Sequence, residues 1–319
     1  MRVLFLILIS LSLYANDILT TYRINGIKDI QKRMDMELTK KEYWSKYLKN
    51  QDTTFGYIEG YSSVLTCNKE KSTLTLHKKE DSKSFTFKKD FNAFTGKIKG
   101  DKVKEGDLKT PVGIYNLTKK ISKLDSFYGP LAFVTSYPNV YDKYRGKNGH
   151  GIWIHGLPTQ QERDDYTRGC IAIDNNNIEC LDRQIDIDNT LLIISQTEVV
   201  KNISKSNLIT LLSQLYDWRY AWIYNDISKY LSFYSDDFKR YDGMKIEAFK
   251  KYKTRIFKKQ EKKTITFNNI NIIPYPNTTD KYEITFKEIY VSPSYRFSGN
   301  KTLLVKLDEK SKMKIITEK

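Results

Sequence analysis

Residues 149–156 read GHGIWIHG, and residues 167–173 read TRGCIAI after the polar loop LPTQQERDDY. The run IWIH is typical of a β-strand, in which alternate side chains point to opposite faces. We therefore expect Trp153 and His155 to share one face of this strand and His150 to lie on the other. A histidine on a strand, followed after a short loop by a glycine and a cysteine, is the part of the sequence on which both the fold and the chemistry depend.

Cys170 is a candidate nucleophile, because a thiol attacks as the thiolate and needs a base nearby to lose its proton. His155 is the candidate base. Gly169 allows the backbone to approach a substrate closely, so we expect the amides of Gly169 and Cys170 to face a developing oxyanion. From spacing alone, a purely structural histidine and cysteine remain an alternative.

A second motif lies upstream, where residues 106–115 read GDLKTPVGIY. Together, the two stretches resemble the L,D-transpeptidase catalytic domain (the YkuD, or ErfK/YbiS/YcfS/YnhG, family). That family has a His-Gly pair on a strand, a variable loop and a Ser/Thr-His-Gly-Cys segment. Here Arg168 stands in place of the usual histidine, and Ala172 in place of the usual asparagine or arginine.

The resemblance implies a catalytic set and a set of substrate contacts. The catalytic residues are expected to be Cys170, His155, Gly156 and Gly169, with a backbone carbonyl at the His-Gly pair orienting the His155 ring. Substrate is expected to contact Arg168, Thr167 and Trp153. The acidic loop residues Glu162, Asp164 and Asp165 could meet an amino group of the substrate or simply be solvated.

The chain of 319 residues is too long for one ordinary hydrophobic core and predicts an α+β multidomain protein. Residues 1–15 have the layout of a secretory signal peptide, with an uncleaved anchor as the alternative, so we expect a periplasmic location. Residues 16–54 predict helices that could pair two copies into a homodimer. Residues 55–197 form the predicted β-rich catalytic domain.

Residues 205–319 predict an α+β unit, in which amphipathic helices precede three strands near 264–273, 281–291 and 302–317. Its opening helices resemble those of a cone-shaped domain of the NTF2-like type (nuclear transport factor 2). The whole arrangement resembles the cell-shape-determining L,D-carboxypeptidases of helical Gram-negative bacteria. At the open end of the cone, the expected pocket residues for a glycan or peptide are Tyr230, Lys301 and Glu318; the alternative is a domain that only braces its neighbour.

The net charge of +16 favours anionic partners. Because export argues against nucleic acid, the charge leaves phospholipid head groups, surface polysaccharide and the carboxylate-rich peptides of the cell wall as partners. Among these, the resemblance implies peptidoglycan stem peptides. A zinc site built from His150, His155, Cys170 and an aspartate lacks paired ligand spacing, so neither a metal nor a cofactor is predicted. We expect Cys67 and Cys180 to be buried inert thiols, His150 to be structural and His77 to lie on the surface.

The expected reaction is removal of the terminal D-alanine from a stem tetrapeptide at the L-centre of meso-diaminopimelate, through a thioester on Cys170. With an amine in place of water, the same acyl-enzyme would form a 3-3 cross-link, which makes an L,D-transpeptidase the first alternative. A scaffold that binds the wall without catalysis is the second, because Arg168 and Ala172 depart from the family motif.

Overall fold

The computed structural model describes residues 17–80, 84–159, 164–199 and 203–319. The predicted signal peptide and Glu162 lie outside these ranges. Within them, none of the helices is both long enough and apolar enough to cross a membrane. The described chain consists of an N-terminal helical segment, a closed β-barrel and a C-terminal α+β domain.

The N-terminal segment packs on the C-terminal domain. Its helices are α1 (17–25), α2 (Ile27–Glu37) and α3 (Lys41–Tyr47), the last followed by a 3-10 turn at Leu48–Asn50. Trp44 is buried and its ring centroid lies 5.1 Å from that of Tyr216, while Asp35 pairs with Arg219 at 3.1 Å. Leu19, Tyr22, Ile24 and Ile27 remain exposed, and the predicted pairing of two copies through these helices stays a prediction.

Eight strands form the barrel in the order β2-β3-β4-β8-β7-β6-β5-β9. Their bounds are Ser63–Asn68 (β2), Thr73–Glu80 (β3), Ser84–Phe94 (β4), Gly113–Ile121 (β5), Ala132–Thr135 (β6), Trp153–His155 (β7), Ile171–Ile173 (β8) and Thr190–Ser195 (β9). Helices α4 (Val140–Tyr144) and α5 (Asn175–Gln184) lie between strands. Closure leaves the barrel without exposed strand edges, and its apolar interior includes Leu65, Phe91, Ile154 and Ile171.

The C-terminal domain places three helices against a curled antiparallel sheet. They are α6 (Lys205–Ile223), α7 (Ile227–Ser232) and α8 (Ile246–Phe257), and the strands are β10 (Thr264–Pro274), β11 (Lys281–Val291), β12 (Arg296–Leu307) and β13 (Met313–Glu318). The sequence predicted three strands and did not predict α8. The segment 302–317 is two strands because a turn held by the Asp308 carboxylate, which accepts from the Lys310 and Lys312 amides, reverses the chain.

A shared apolar layer joins the two domains. The short strand β1 (Tyr57–Ile58), predicted to open the catalytic domain, instead pairs with β10 of the C-terminal sheet. Gly56 precedes it with φ +116, and a side chain there would collide with the Ile272 carbonyl. Barrel side chains such as Ile114 and Ile193 pack with Tyr275 and Leu304 in one cluster, so the domains are held by a common core rather than by a tether alone.

Two single-residue predictions are wrong. His77 is buried, with its ring between Phe55 and Phe87 at centroid distances of 4.9 and 6.2 Å. The neighbouring Lys78 and Lys79 are themselves half-buried and donate to backbone carbonyls, so they do not mark an exposed face. Cys180 is half-buried rather than buried, since its position on α5 leaves it at the edge of the helix contact. Cys67 is fully buried as predicted, and burial raises the pKa of its thiol to about 12.

A buried charge network lies at the domain junction on the barrel side. Asp142 is fully buried on α4, where it accepts from Tyr115 Oη at 3.0 Å and pairs with Arg145 and Lys147 at 2.9 and 2.8 Å. Asp101 completes the network by pairing with the same two cations. Every charged group in the network has an oppositely charged partner within contact distance. A folded protein can bury charged groups only when they are paired in this way.

Removing Asp142 is expected to destabilise the chain strongly, because two cations would lose a buried partner. We expect Asp142→Ala to lower the free energy of unfolding by about 3 to 5 kcal/mol, measured by urea denaturation followed by circular dichroism. The matched control is Glu37→Ala, which breaks an exposed ion pair to Lys40 of 2.7 Å and should cost at most about 0.5 kcal/mol. Equal losses in both variants would contradict a structural role for the network.

Candidate active site

Two neighbouring strands bring the predicted nucleophile and base to one place. β7 and β8 are parallel, with Ile154 opposite Ile171 and His155 opposite Ala172. The two isoleucines point into the barrel core, so the alternate positions on both strands face the other way. His155 and, just ahead of β8, Cys170 therefore belong to the same outer face of this strand pair.

The protonation of the His155 ring is fixed by the next residue. Nδ1 lies 2.6 Å from the carbonyl oxygen of Gly156, and the ring is buried. A carbonyl oxygen only accepts hydrogen bonds, so Nδ1 must carry the proton and donate it. In the neutral ring, the basic lone pair is then on Nε2, which makes this nitrogen the proton acceptor of the site.

Close packing around Gly156 holds that carbonyl in place. A side chain at this position would meet Asn175 Oδ1 at 2.3 Å and Pro130 Cδ at 2.8 Å. The Gly156 amide donates to Tyr128 O at 3.0 Å, and the amide of Leu157 donates to Asn175 Oδ1 at 2.7 Å. The His-Gly pair thus requires glycine for steric reasons, and Asn175 at the start of α5 is a supporting residue that no sequence motif indicated.

The loop before Cys170 is shaped by Thr167. Its hydroxyl donates to the Cys170 carbonyl at 2.7 Å and accepts from the Gly169 amide at 3.0 Å. The Gly169 amide is therefore already engaged, which leaves the Cys170 amide as the candidate oxyanion donor and corrects the expected pair. Cys170 is half-exposed, and its Sγ lies 3.5 Å from the carbonyl oxygen of Gly151.

The GDLKTP segment packs against this loop. Thr110 Oγ1 accepts from the Gly96 amide at 2.8 Å, and Gly96 forms a parallel bridge with Thr167. The Lys109 carbonyl lies 2.9 Å from the position that a side chain on Gly169 would take. The two motifs found in the sequence are thus in direct contact in the fold.

An aromatic side chain that the sequence analysis missed covers the same face. The Tyr128 ring lies 5.1 Å from that of His155, edge to face, and 5.1 Å from that of Trp153. This contact agrees with the expectation that Trp153 and His155 share a face. Tyr128 precedes Gly129 in a short turn with no motif of its own, so only the folded chain reveals it.

The remaining predicted polar residues lie at the periphery. Arg168 is exposed beside the Cys170 loop, where its guanidinium can meet a substrate carboxylate. Asp164 and Asp165 are exposed on the preceding loop. His150 is exposed with Nδ1 3.7 Å from Glu105, and it precedes strand β7 instead of lying on it.

The C-terminal domain contains a pocket of about 520 Å³. Lys301 and Glu318, 3.5 Å apart, line it as predicted. Tyr230 does not, because it is fully buried beneath the pocket and its hydroxyl bonds to Tyr234. Aromatic rings form much of the wall, namely those of Trp222, Tyr241, Tyr252, Tyr290, Tyr295 and Phe297.

Charged groups meet at the floor of this pocket. Burial lowers the pKa of Lys253 to about 8, and its Nζ lies 4.7 Å from the Trp222 ring centroid. Burial alone would raise the pKa of Glu318, but Lys301 and Lys253 hold it below its usual value. The floor therefore brings the Glu318 carboxylate together with Lys253 and Lys301, beside the Glu288 carboxyl, whose pKa is raised by burial.

Comparison with known families assigns both domains. Residues 62–194 match the L,D-transpeptidase catalytic domain (YkuD), and residues 210–319 match the Cds6 C-terminal NTF2-like domain. YafK of Escherichia coli, named as an L,D-transpeptidase, is 35% identical over 80 residues. That match spans 25% of this chain and only 29% of the length of YafK.

Solved structures extend the likeness to nearly the whole described chain. The helical cell shape determining protein Pgp2 from Campylobacter jejuni is 40% identical, with a TM-score of 0.81 over 88% of this chain and 99% of its own. A mutant of Pgp2 gives 39% identity and a TM-score of 0.82, over 89% and 99% of the two chains. Bd1075 of Bdellovibrio bacteriovorus is 28% identical, with a TM-score of 0.65 over 84% of this chain and 96% of its own.

The fold and the matched YkuD domain are those of a peptidoglycan-modifying enzyme of the L,D-transpeptidase type. The chain belongs to the L,D-transpeptidase (YkuD) family, in the form that carries a C-terminal NTF2-like domain. The predicted fold class is confirmed by these matches.

The His155 tautomer can be tested directly. We expect the neutral ring to be protonated at Nδ1, because Gly156 supplies only an acceptor. Long-range proton–nitrogen correlation spectra at alkaline pH would show this, with the exposed His150 as the internal reference for an imidazole that exchanges between tautomers. A neutral His155 ring protonated at Nε2 would contradict the assignment.

Proposed function

We propose that this protein is an L,D-carboxypeptidase of the periplasm, which removes the terminal D-alanine from peptidoglycan stem tetrapeptides to leave tripeptides and thereby influences cell shape. The observation that carries the proposal is the hydrogen bond from His155 Nδ1 to the Gly156 carbonyl. Because Nδ1 holds the proton in this bond, Nε2 has the free lone pair that can accept the proton of a thiol. Pgp2 is a determinant of helical cell shape, and the likeness of the two chains supports the biological part of the proposal.

Proton transfer begins the reaction. His155 Nε2 takes the proton of the Cys170 thiol, and the thiolate attacks the carbonyl carbon at the L-centre of meso-diaminopimelate. The Cys170 amide is positioned by Thr167 to stabilise the oxyanion. Collapse of the tetrahedral intermediate breaks the amide bond, and the His155 imidazolium protonates the leaving amine of D-alanine.

Hydrolysis of the thioester completes the cycle. His155 takes a proton from water, which attacks the thioester, and the stem tripeptide leaves as the Cys170 thiol is restored. Ala172 lies directly opposite His155 in the strand register and is fully buried. A methyl group there offers no hydrogen bond to an incoming amine, and this favours water over the acceptor stem that a transpeptidase needs.

Substrate binding uses the exposed rim of the site. Arg168 is proposed to hold a carboxylate of the stem peptide, while Trp153 and Tyr128 form an apolar wall beside the reacting bond. Thr167 acts through the loop, because its hydroxyl is bonded to backbone groups of Gly169 and Cys170.

Activity can be tested with purified disaccharide-tetrapeptide and mass spectrometry. We expect loss of D-alanine with the unaltered chain, and a decrease of more than about a thousandfold in Cys170→Ala and His155→Ala, which remove the nucleophile and the base. The matched control is Cys180→Ala, which alters a thiol on α5 and should retain full activity.

The products separate the alternatives. Dimers that require Cys170 would identify an L,D-transpeptidase instead. If the tetrapeptide stays intact with every variant while the chain still binds peptidoglycan, the protein is a wall-binding scaffold.

The pocket of the C-terminal domain is proposed to bind a glycan or peptide portion of the same polymer. Its aromatic wall suits sugar rings, and Lys253 and Lys301 at its floor suit carboxylates. Such a site would hold the enzyme on its polymeric substrate, and its ligand would raise the pKa of Lys253 by stabilising the ammonium form.

The pH dependence of binding tests this pocket. Affinity of the Cys170→Ala chain for a disaccharide-tetrapeptide, measured by calorimetry, should fall as pH rises through about 8, since Lys253 then loses its proton. Lys301→Ala should weaken binding roughly tenfold. Lys310→Ala, in an exposed turn outside the pocket, should have no effect. Equal affinity in all three chains would exclude the pocket as the binding site.

A further inference from the structure

One buried ion pair lies beneath the Cys170 loop and has no part in the mechanism described above. The Lys102 side chain is 4% exposed, and its Nζ lies 2.7 Å from Asp107 Oδ1. Asp107 belongs to the GDLKTP segment, whereas Lys102 lies just before it. Such pairs cost free energy to bury and are often replaceable by apolar residues without loss of stability, so its position under a catalytic loop needs a reason beyond packing.

The course of the Lys102 side chain supplies that reason. Its Cε lies 2.8 Å from the position that a side chain on Gly149 would occupy, and its Nζ lies 3.7 Å from the corresponding position on Gly169. Nζ is therefore no farther than about 5 Å from the Gly169 Cα atom, because a carbon–carbon single bond adds about 1.5 Å. Gly149 lies two residues before Gly151, whose carbonyl oxygen contacts Cys170 Sγ. The Lys102 side chain therefore packs against Gly149 and places its ammonium near Gly169, in the two backbone segments beside the thiol.

The partner of Lys102 is held in its charged carboxylate form by several hydrogen bonds. The Asp107 carboxylate also accepts hydrogen bonds from the amides of Val103, Lys104 and Lys109. Burial alone would raise the pKa of Asp107, yet Lys102 and these amides hold it well below its usual range. Lys102 Nζ is the charged atom among the three nearest to the Gly169 side-chain position, so the positive end of this ion pair faces the Gly169–Cys170 backbone.

We propose that Lys102 is a positioning residue for Cys170, which fixes the backbone on both sides of the thiol and electrostatically stabilises the Cys170 thiolate. This role rests on the proposed function, in which Cys170 is the nucleophile. The property it concerns, the readiness of the Cys170 thiol to ionise, can be measured without substrate. A nearby cation favours the charged form of a cysteine in the same way as an imidazolium or a helix N-terminus does.

The test measures the rate of iodoacetamide alkylation of the full chain as a function of pH. A Cys180→Ser background removes the other accessible thiol, and Cys67 is fully buried. In Lys102→Gln, which keeps a hydrogen-bond donor but not the charge, we expect the apparent pKa of Cys170 to rise by about one and the rate at neutral pH to fall roughly tenfold. Lys104→Met, on the exposed part of the same loop, is the matched control and should leave the profile unchanged.

A second variant separates charge from folding. Lys102→Met combined with Asp107→Asn leaves no unpaired buried charge, and it should show the same shift while circular dichroism reports a folded chain. The proposal is overturned if both Lys102 variants give the alkylation profile of the parent, even when their melting temperatures fall. It is equally overturned if Lys104→Met shifts the profile as far. Failure of the carboxypeptidase assay would leave these outcomes unaffected, because alkylation requires no substrate.

Discussion

The parallel pairing of β7 with β8 is the constraint on which the site depends. It sets His155 opposite Ala172, and it directs the intervening isoleucines into the barrel so that the catalytic face is left to alternate positions. A shift of one residue would turn His155 into the apolar barrel core and turn Ile154 to the outer, catalytic face. The barrel core, through Ile154 and Ile171, therefore fixes the register that the chemistry requires.

The second domain is likewise held in place by side-chain packing that it shares with the barrel. β1 precedes the barrel in sequence but pairs with β10, and Tyr275 packs edge to face on Tyr141 at 4.9 Å. Arg145 lies over the Tyr141 ring while bonding to Asp142. Moving the domains apart would expose this apolar layer and disturb the charge network, so the pocket and the catalytic face are carried on one framework.

The sequence predicted those features that local patterns encode. The strand at 152–155, the nucleophile loop and the GDLKTP motif all have short-range signals, and the family resemblance implied a backbone carbonyl at the His-Gly pair as the partner of His155. It could not predict what depends on long-range contacts. Tyr128 has no motif, helix α7 buries Tyr230 beneath the pocket, and His77 is buried although lysines follow it. The oxyanion expectation failed for Gly169 because the Thr167 side chain competes for its amide.

The amino-acid composition also does not show that part of the positive charge lies inside the protein. Three lysines among the described barrel residues are buried, and each binds a group within residues 100–112. Lys69 donates to the Gly100 and Thr110 carbonyls, Lys102 to Asp107 and Lys147 to Asp101. A net charge of +16 suggests attraction to anionic polymers, but these ammonium groups face inward. The N–H groups of these lysines hold residues 100–112 in place against the Cys170 loop. Burying such polar groups costs desolvation free energy, but it also makes their contacts specific.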